Sequence, residues 1–146
     1  MKIKIVIASL ACAMTISTTG YANDTVTYYC APTSDIVFTP QTDSWAPYEY
    51  SSPNKSIYNG LQPALVGWGS AYKASGFKSA VWTDQSLACN YFGVTGEQTS
   101  EVMVMVSNTI GESPTCQFPT GQGNKSQCSA PNPENCPMVC KEGERR

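Results

Sequence analysis

The most regular alternation of apolar and polar positions falls at 101–107 (EVMVMVS), where Val102, Val104 and Val106 face one way and Met103 and Met105 the other. A period of two over this length predicts a β-strand. Residues 25–30 (TVTYYC) alternate in the same manner, with Val26, Tyr28 and Cys30 on one face. A second strand is expected at 35–39 (DIVFT) and a third at 46–51, where Pro47 demotes it to a sheet edge. The stretch 65–72 (LVGWGSAY) places Val66, Trp68 and Tyr72 on one face and small residues on the other. Gly67 and Gly69 there would let a neighbouring layer approach closely. Residues 77–82 (FKSAVW) and 87–92 (LACNYF) read as successive strands joined by a turn at 83–86. The segment 87–92 is the expected partner of 101–107, across the loop 93–100. Trp68 and Trp82, lying in regular strands, are assigned to the core. Helical periodicity is nearly absent after residue 22, and Pro, Gly, Asn and Asp punctuate the runs. The pattern therefore predicts an all-β fold, an antiparallel β-sandwich or small barrel.

Both ends depart from this pattern. Lys2 and Lys4 precede an uncharged apolar run at 5–16, and the small residues Gly20 and Ala22 precede Asn23. That is the layout of a secretory signal peptide cleaved after Ala22. The run is too short to span a bilayer, which needs about 20 residues, and no later stretch is longer. Cys12 lies inside the run. Ser9-Leu10-Ala11-Cys12 only faintly matches a lipoprotein processing site, so Cys12 reads as an ordinary apolar residue of the leader. At the other end, 119–146 holds almost no core-forming residues. It is expected to be an irregular tail pinned by disulfides and frayed after residue 140, appended to a β domain at 23–118.

Composition sharpens the assignment to an exported protein. Removing the leader leaves 124 of the 146 residues, enough for one domain with its own core. It also leaves seven bases against eleven acids, a balance of −4, with arginine only at Arg145 and Arg146. No basic stripe is present for a phosphate backbone, which argues against a nucleic-acid partner. Six cysteines remain: Cys30, Cys89, Cys116, Cys128, Cys136 and Cys140. An even count behind a leader reads as a disulfide framework with fifteen formal pairings. The first expectation joins Cys89 to Cys116 across adjacent segments of one sheet. A tight Cys136–Cys140 bridge would then leave Cys30 reaching to the tail. A four-cysteine zinc site from Cys116, Cys128, Cys136 and Cys140 is disfavoured, since the spacings miss the paired C-x₂₋₄-C pattern. No metal or cofactor is expected.

The chain contains no histidine. That removes the commonest general base and metal ligand, and with it Ser–His or Cys–His nucleophilic catalysis. Three S-x-x-K matches begin at Ser52, Ser70 and Ser75. The motif works when the serine opens a buried helix with lysine one turn later, and none of these stretches looks helical. Asp84, Glu97, Glu101 and Glu112 lie in loops or at strand ends, the places where a cleft gathers two acids for glycoside hydrolysis. No spacing brings any pair together, and no catalytic residue is assigned. The remaining signal is aromatic. Trp45, Tyr48 and Tyr50 cluster in the loop-like QTDSWAPYEYSSPN, and exposed Trp and Tyr make platforms for sugars or anchors for protein partners. These three form the expected contact surface.

One resemblance can be placed on particular residues. Cys30-Ala31-Pro32 followed by Asp35-Ile36, Trp68-Gly69, Phe77 with Ala80, and Cys89-Asn90-Tyr91 together resemble a family of small secreted proteins of intracellular Gram-negative bacteria. It spans most of 30–118 and omits the cysteine-rich tail. The family has no established activity, so the resemblance implies location and a β-rich fold. Periplasmic lysozyme inhibitors are set aside because Ser75-Gly76 is followed by Phe77-Lys78-Ser79, not by the S-G-x-x-Y signature. The expected function is a secreted or periplasmic, non-catalytic module binding a protein or glycan. A small carboxylate-based hydrolase and a purely structural envelope protein are the alternatives.

Overall fold

The structure, a computed structural model, describes residues 25–42, 45–53, 55–57, 60–83, 85–96, 98–108, 110, 115–121 and 125–141. The expected leader and the expected frayed end beyond residue 141 lie outside them. Among the described residues twelve strands follow in order: β1 Thr25–Tyr28, β2 Val37–Pro40, β3 Tyr48–Ser52, β4 Lys55–Ile57, β5 Gly60–Gln62, β6 Leu65–Gly69, β7 Lys73–Thr83, β8 Ser86–Thr95, β9 Gln98–Ser107, β10 Thr115–Gln117, β11 Gln127–Cys128 and β12 Met138–Lys141. Short 3₁₀ turns occur at Thr33–Asp35 and Pro133–Asn135. Among the described residues no helix is long and apolar enough to cross a membrane.

The strands make two sheets. The seven-stranded sheet runs β11-β7-β8-β9-β6-β3-β2, and the five-stranded sheet runs β10-β12-β1-β5-β4. Pairing is antiparallel apart from the single Tyr28–Leu61 contact between β1 and β5. The all-β, antiparallel expectation holds, as does the pairing of β8 with β9, which sets Ala88, Asn90 and Phe92 opposite Val106, Val104 and Val102. The β7–β8 hairpin turns at 83–86 as expected. One edge assignment is wrong. β3 lies between β2 and β6, and Pro47 stands just before the strand, where its carbonyl accepts from Gln41 N at 2.8 Å. The edge belongs to β2, whose terminal Pro40 needs no ladder donor.

The core lies against the inner face of the large sheet. Tyr50, Leu65, Phe77, Ala80, Leu87, Cys89, Tyr91, Met103 and Met105 from β3 and β6–β9 join Phe118, Met138 and Cys140 in one buried cluster. Alternation along β9 thus resolves with the methionines inside and the valines outside. Gln62 is buried beside Ser52, and its Nε2 donates to the Ser52 hydroxyl and to the Pro53 carbonyl at 3.1 Å.

The disulfides are Cys30–Cys89, Cys116–Cys140 and Cys128–Cys136, which replaces the expected pairing throughout. Cys89 points inward from β8 toward the chain leaving β1, so it meets Cys30. Cys116 sits in the other sheet and faces Cys140 across the β10–β12 ladder, with Cα atoms 4.1 Å apart. That spacing belongs to a closely set antiparallel pair. The Cys-rich segment is held by two of these bonds, as expected. It is also woven into both sheets: β12 lies between β1 and β10, and β11 pairs with the edge of β7.

Two contacts clamp the chain after β1 onto the large sheet. One is Cys30–Cys89. The other is the Tyr91 hydroxyl, which donates to the Ala31 carbonyl at 2.8 Å. Tyr91 is two residues beyond Cys89 on the same inward face, and its ring meets Phe77 edge-on at 5.7 Å. Burial pushes the Tyr91 phenol well above its ordinary value, only partly opposed by this hydrogen bond.

Candidate contact surface

The expected contact triad separates into three environments. Trp45, in the β2–β3 loop, is 75% exposed. Tyr48 is half-buried against the core. Tyr50 is 1% exposed and is not a contact residue. Its ring packs edge-on to Phe38 at 5.3 Å, and its hydroxyl accepts from Ala71 N at 2.8 Å. Gly69 makes room for that hydroxyl, because a Cβ there would lie 2.6 Å from it. Tyr48 and Tyr50 share one side of β3, so the packing that buries Tyr50 draws Tyr48 inward too. Tyr50 instead fixes the 69–71 turn from which Tyr72 projects, 45% exposed. The register that pairs Tyr48 with Gly69 brings positions 45 and 72 out at the same end of the β3–β6 pair.

Trp68 also departs from expectation: it is 52% exposed, while Trp82 is half-buried against the core. The signal was present in the alternation. Gly67 and Gly69 mark the side of β6 that is approached closely, and a Cβ at Gly67 would strike the Val104 carbonyl. The intervening Trp68 must then face outward. It stands on the outer face of the large sheet opposite Glu49 of β3, with Val66 beside it. Val66 in turn faces Val106 of β9. Val102, Val104 and Val106 on β9, Phe92 on β8 and Val37 on β2 are all exposed. Cross-strand pairing puts these residues on one continuous face. Lys78 lies near its margin, its Nζ 5.8 Å from the centre of the Phe92 ring.

The described residues bear on the S-x-x-K matches and on the cysteine cluster. Ser75 and Lys78 lie along β7, and the Ser75 hydroxyl donates to the Phe92 carbonyl at 3.1 Å. Ser52 is in β3 and Lys55 in β4, so neither match lies on a helix. Asp84, Glu97, Glu112 and the side chain of Glu101 fall outside the described residues. All four sulfurs of the disfavoured zinc site are joined in two disulfides.

Fold and surface together define an all-β, disulfide-crosslinked protein with an aromatic loop end and an aliphatic outer sheet face. No known family model, curated protein or solved structure matches the chain.

Proposed function

We propose that the protein is an exported, non-catalytic binding module that engages a protein or glycan through the aromatic end of its large sheet. The observation that carries this reading is Trp45, 75% exposed in the loop that leads into β3. A tryptophan left in water gains nothing for the fold, while against a partner it offers a large apolar plate with a polar edge. Tyr72 emerges at the same end, and the buried Tyr50 beneath holds its turn, so the surface is pre-organised. Three intramolecular disulfides fit an oxidising compartment, the destination that the leader at 1–22 would give. Several residues behind the resemblance to small secreted proteins, Cys30-Ala31 and Cys89-Asn90-Tyr91, gather at the Cys30–Cys89 clamp. The resemblance therefore bears on the scaffold and leaves the contact end to be tested directly.

The test is a glycan array together with pull-downs from envelope and host-protein extracts, each run with the parent protein and with Trp45→Ala. A ligand bound through this end should lose about thirtyfold in affinity on removal of the indole, the effect of an interface hot spot. Absence of any ligand, or a ligand indifferent to both Trp45→Ala and Tyr72→Ala, would overturn the proposal.

A further inference from the structure

We infer that the outer face of the seven-stranded sheet is a self-association surface, on which a second copy of this chain packs face to face. The face spans β7, β8, β9, β6 and β3, with Val102, Val104, Val106, Phe92 and Trp68 at its centre, each between 39% and 52% exposed. At the face, Asn90 Nδ2 donates to Ser79 Oγ at 3.0 Å. A covering partner would leave that bond intact, at the cost of desolvating the rest of the Asn90 amide. Five strands about 4.8 Å apart and some six residues long give a footprint of about 480 Å² per copy. Two copies together cover about 1,000 Å², the lower bound for a specific interface.

Charge placement is what selects a second copy over an unrelated apolar partner. Glu49 on β3 and Lys78 on β7 each lie two strands from β9, on opposite sides of it. Glu49 pairs with Trp68, and the β6–β9 register carried on from Leu65–Ser107 sets Trp68 level with Val104. Val104 faces Asn90, and Asn90 faces Ser79, the neighbour of Lys78. Glu49, Trp68, Val104, Asn90 and Lys78 thus make one row across the sheet, acidic at one end and basic at the other, with Trp68, Val104 and the Asn90 amide between. A twofold axis lying in the interface along β9 reverses this row. It sets each Glu49 against the second copy's Lys78, twice per dimer, and the β9 valines against their own equivalents. Such a self-complementary patch is what an isologous contact requires. Among the described residues neither Glu49 nor Lys78 has an ion-pair partner, and Lys78 Nζ lies 5.8 Å from the centre of the Phe92 ring at the edge of the face. The face is distinct from the Trp45 end, and the inference stands whether or not a ligand binds there.

The test is sedimentation equilibrium of the exported, oxidised protein over a range of concentrations. A dimer that dissociates on dilution is expected. Val104→Lys, on an exposed strand face, should raise the dissociation constant at least about tenfold with the near-ultraviolet circular dichroism unchanged. Glu49→Lys and Lys78→Glu should each weaken the dimer about tenfold, and the two together should return it to within about threefold of the parent. Trp45→Ala should leave it unaltered. A monomer at every concentration, a dimer indifferent to Val104→Lys, or a double charge reversal that fails to restore association would each overturn the inference.

Discussion

The three disulfides close loops of very different length, and that difference predicts their order of importance. Cys30–Cys89 spans 59 residues, Cys116–Cys140 spans 24 and Cys128–Cys136 spans 8. If a crosslink acts chiefly by shrinking the unfolded ensemble, the three are worth about 4, 3.5 and 2.5 kcal/mol respectively. Replacing each pair by alanine also removes two sulfurs, a burial loss of about 1–2 kcal/mol that is similar for the three. The ranking is therefore set by loop length. Position in the fold reinforces it, because Cys30–Cys89 joins segments of different sheets while Cys128–Cys136 closes a local loop. For a domain of this size the loss of Cys30–Cys89 should lower Tm by about 15 °C or more. The assay is reversible urea unfolding of the three double-alanine variants beside the parent, followed by far- and near-ultraviolet circular dichroism. A Cys128→Ala/Cys136→Ala protein as damaged as the Cys30→Ala/Cys89→Ala protein would refute the loop-closure reasoning.

Two further perturbations probe the clamp and the strand crossing. Tyr91→Phe removes the hydroxyl that satisfies the buried Ala31 carbonyl and should cost about 1–3 kcal/mol in denaturant unfolding. The same phenol also predicts an alkaline limb to stability. Its folded pKa is raised above the unfolded value of about 10, so its contribution is complete below pH 10 and is lost as pH rises beyond it. Tyr91→Phe should flatten that limb between about pH 10 and 11, and an unchanged slope would show that other groups produce it. Gly67→Ala should destabilise by about 1–3 kcal/mol, because the added methyl meets the Val104 carbonyl, a backbone atom that no rotamer change can clear. Thermal unfolding at parent Tm would mean that β6 and β9 can part at no cost.

Alternation was most regular in the long strands, though the four-residue β1 also showed it. β7, β8 and β9 run ten or eleven residues each, enough for period two to stand out, and their hairpin pairing followed from it. β4, β5, β10 and β11 have two or three residues, too few to carry a period; β10 and β11 lie along the longer β12 and β7, while β4 and β5 pair with each other. Alternation also separates two faces without saying which is inside. In 101–107 both candidate faces are apolar, and only the packing of Met103 and Met105 against the core decides between them. At β3 the conflict was legible: in a strand at 46–51 Tyr48 and Tyr50 share a side, so a solvent-facing pair would turn the charged Glu49 between them toward the core. Disulfide pairing was not legible, because it depends on which segments the two sheets bring within reach. Cys30 and Cys89 are brought together by the crossing from one sheet to the other, which no local pattern encodes.

The outer valine face is the part of the molecule that stability alone does not explain. Every disulfide and the Tyr91 clamp lie in the core, in the small sheet or in the closing segment, so none depends on Val102, Val104 or Val106. Threonine at those positions would keep the β-branched shape that suits a strand and would be better solvated. The chain uses threonine freely elsewhere, as at Thr25 and Thr27 of β1 and Thr39 of β2. Three valines in line with Trp68 and Phe92, left half in water, carry an aggregation liability that a purely structural protein has reason to shed. Keeping them while placing one acid and one base symmetrically about them limits what can dock. A random apolar surface would bury Glu49 or Lys78 unpaired, at a cost that the matching copy avoids.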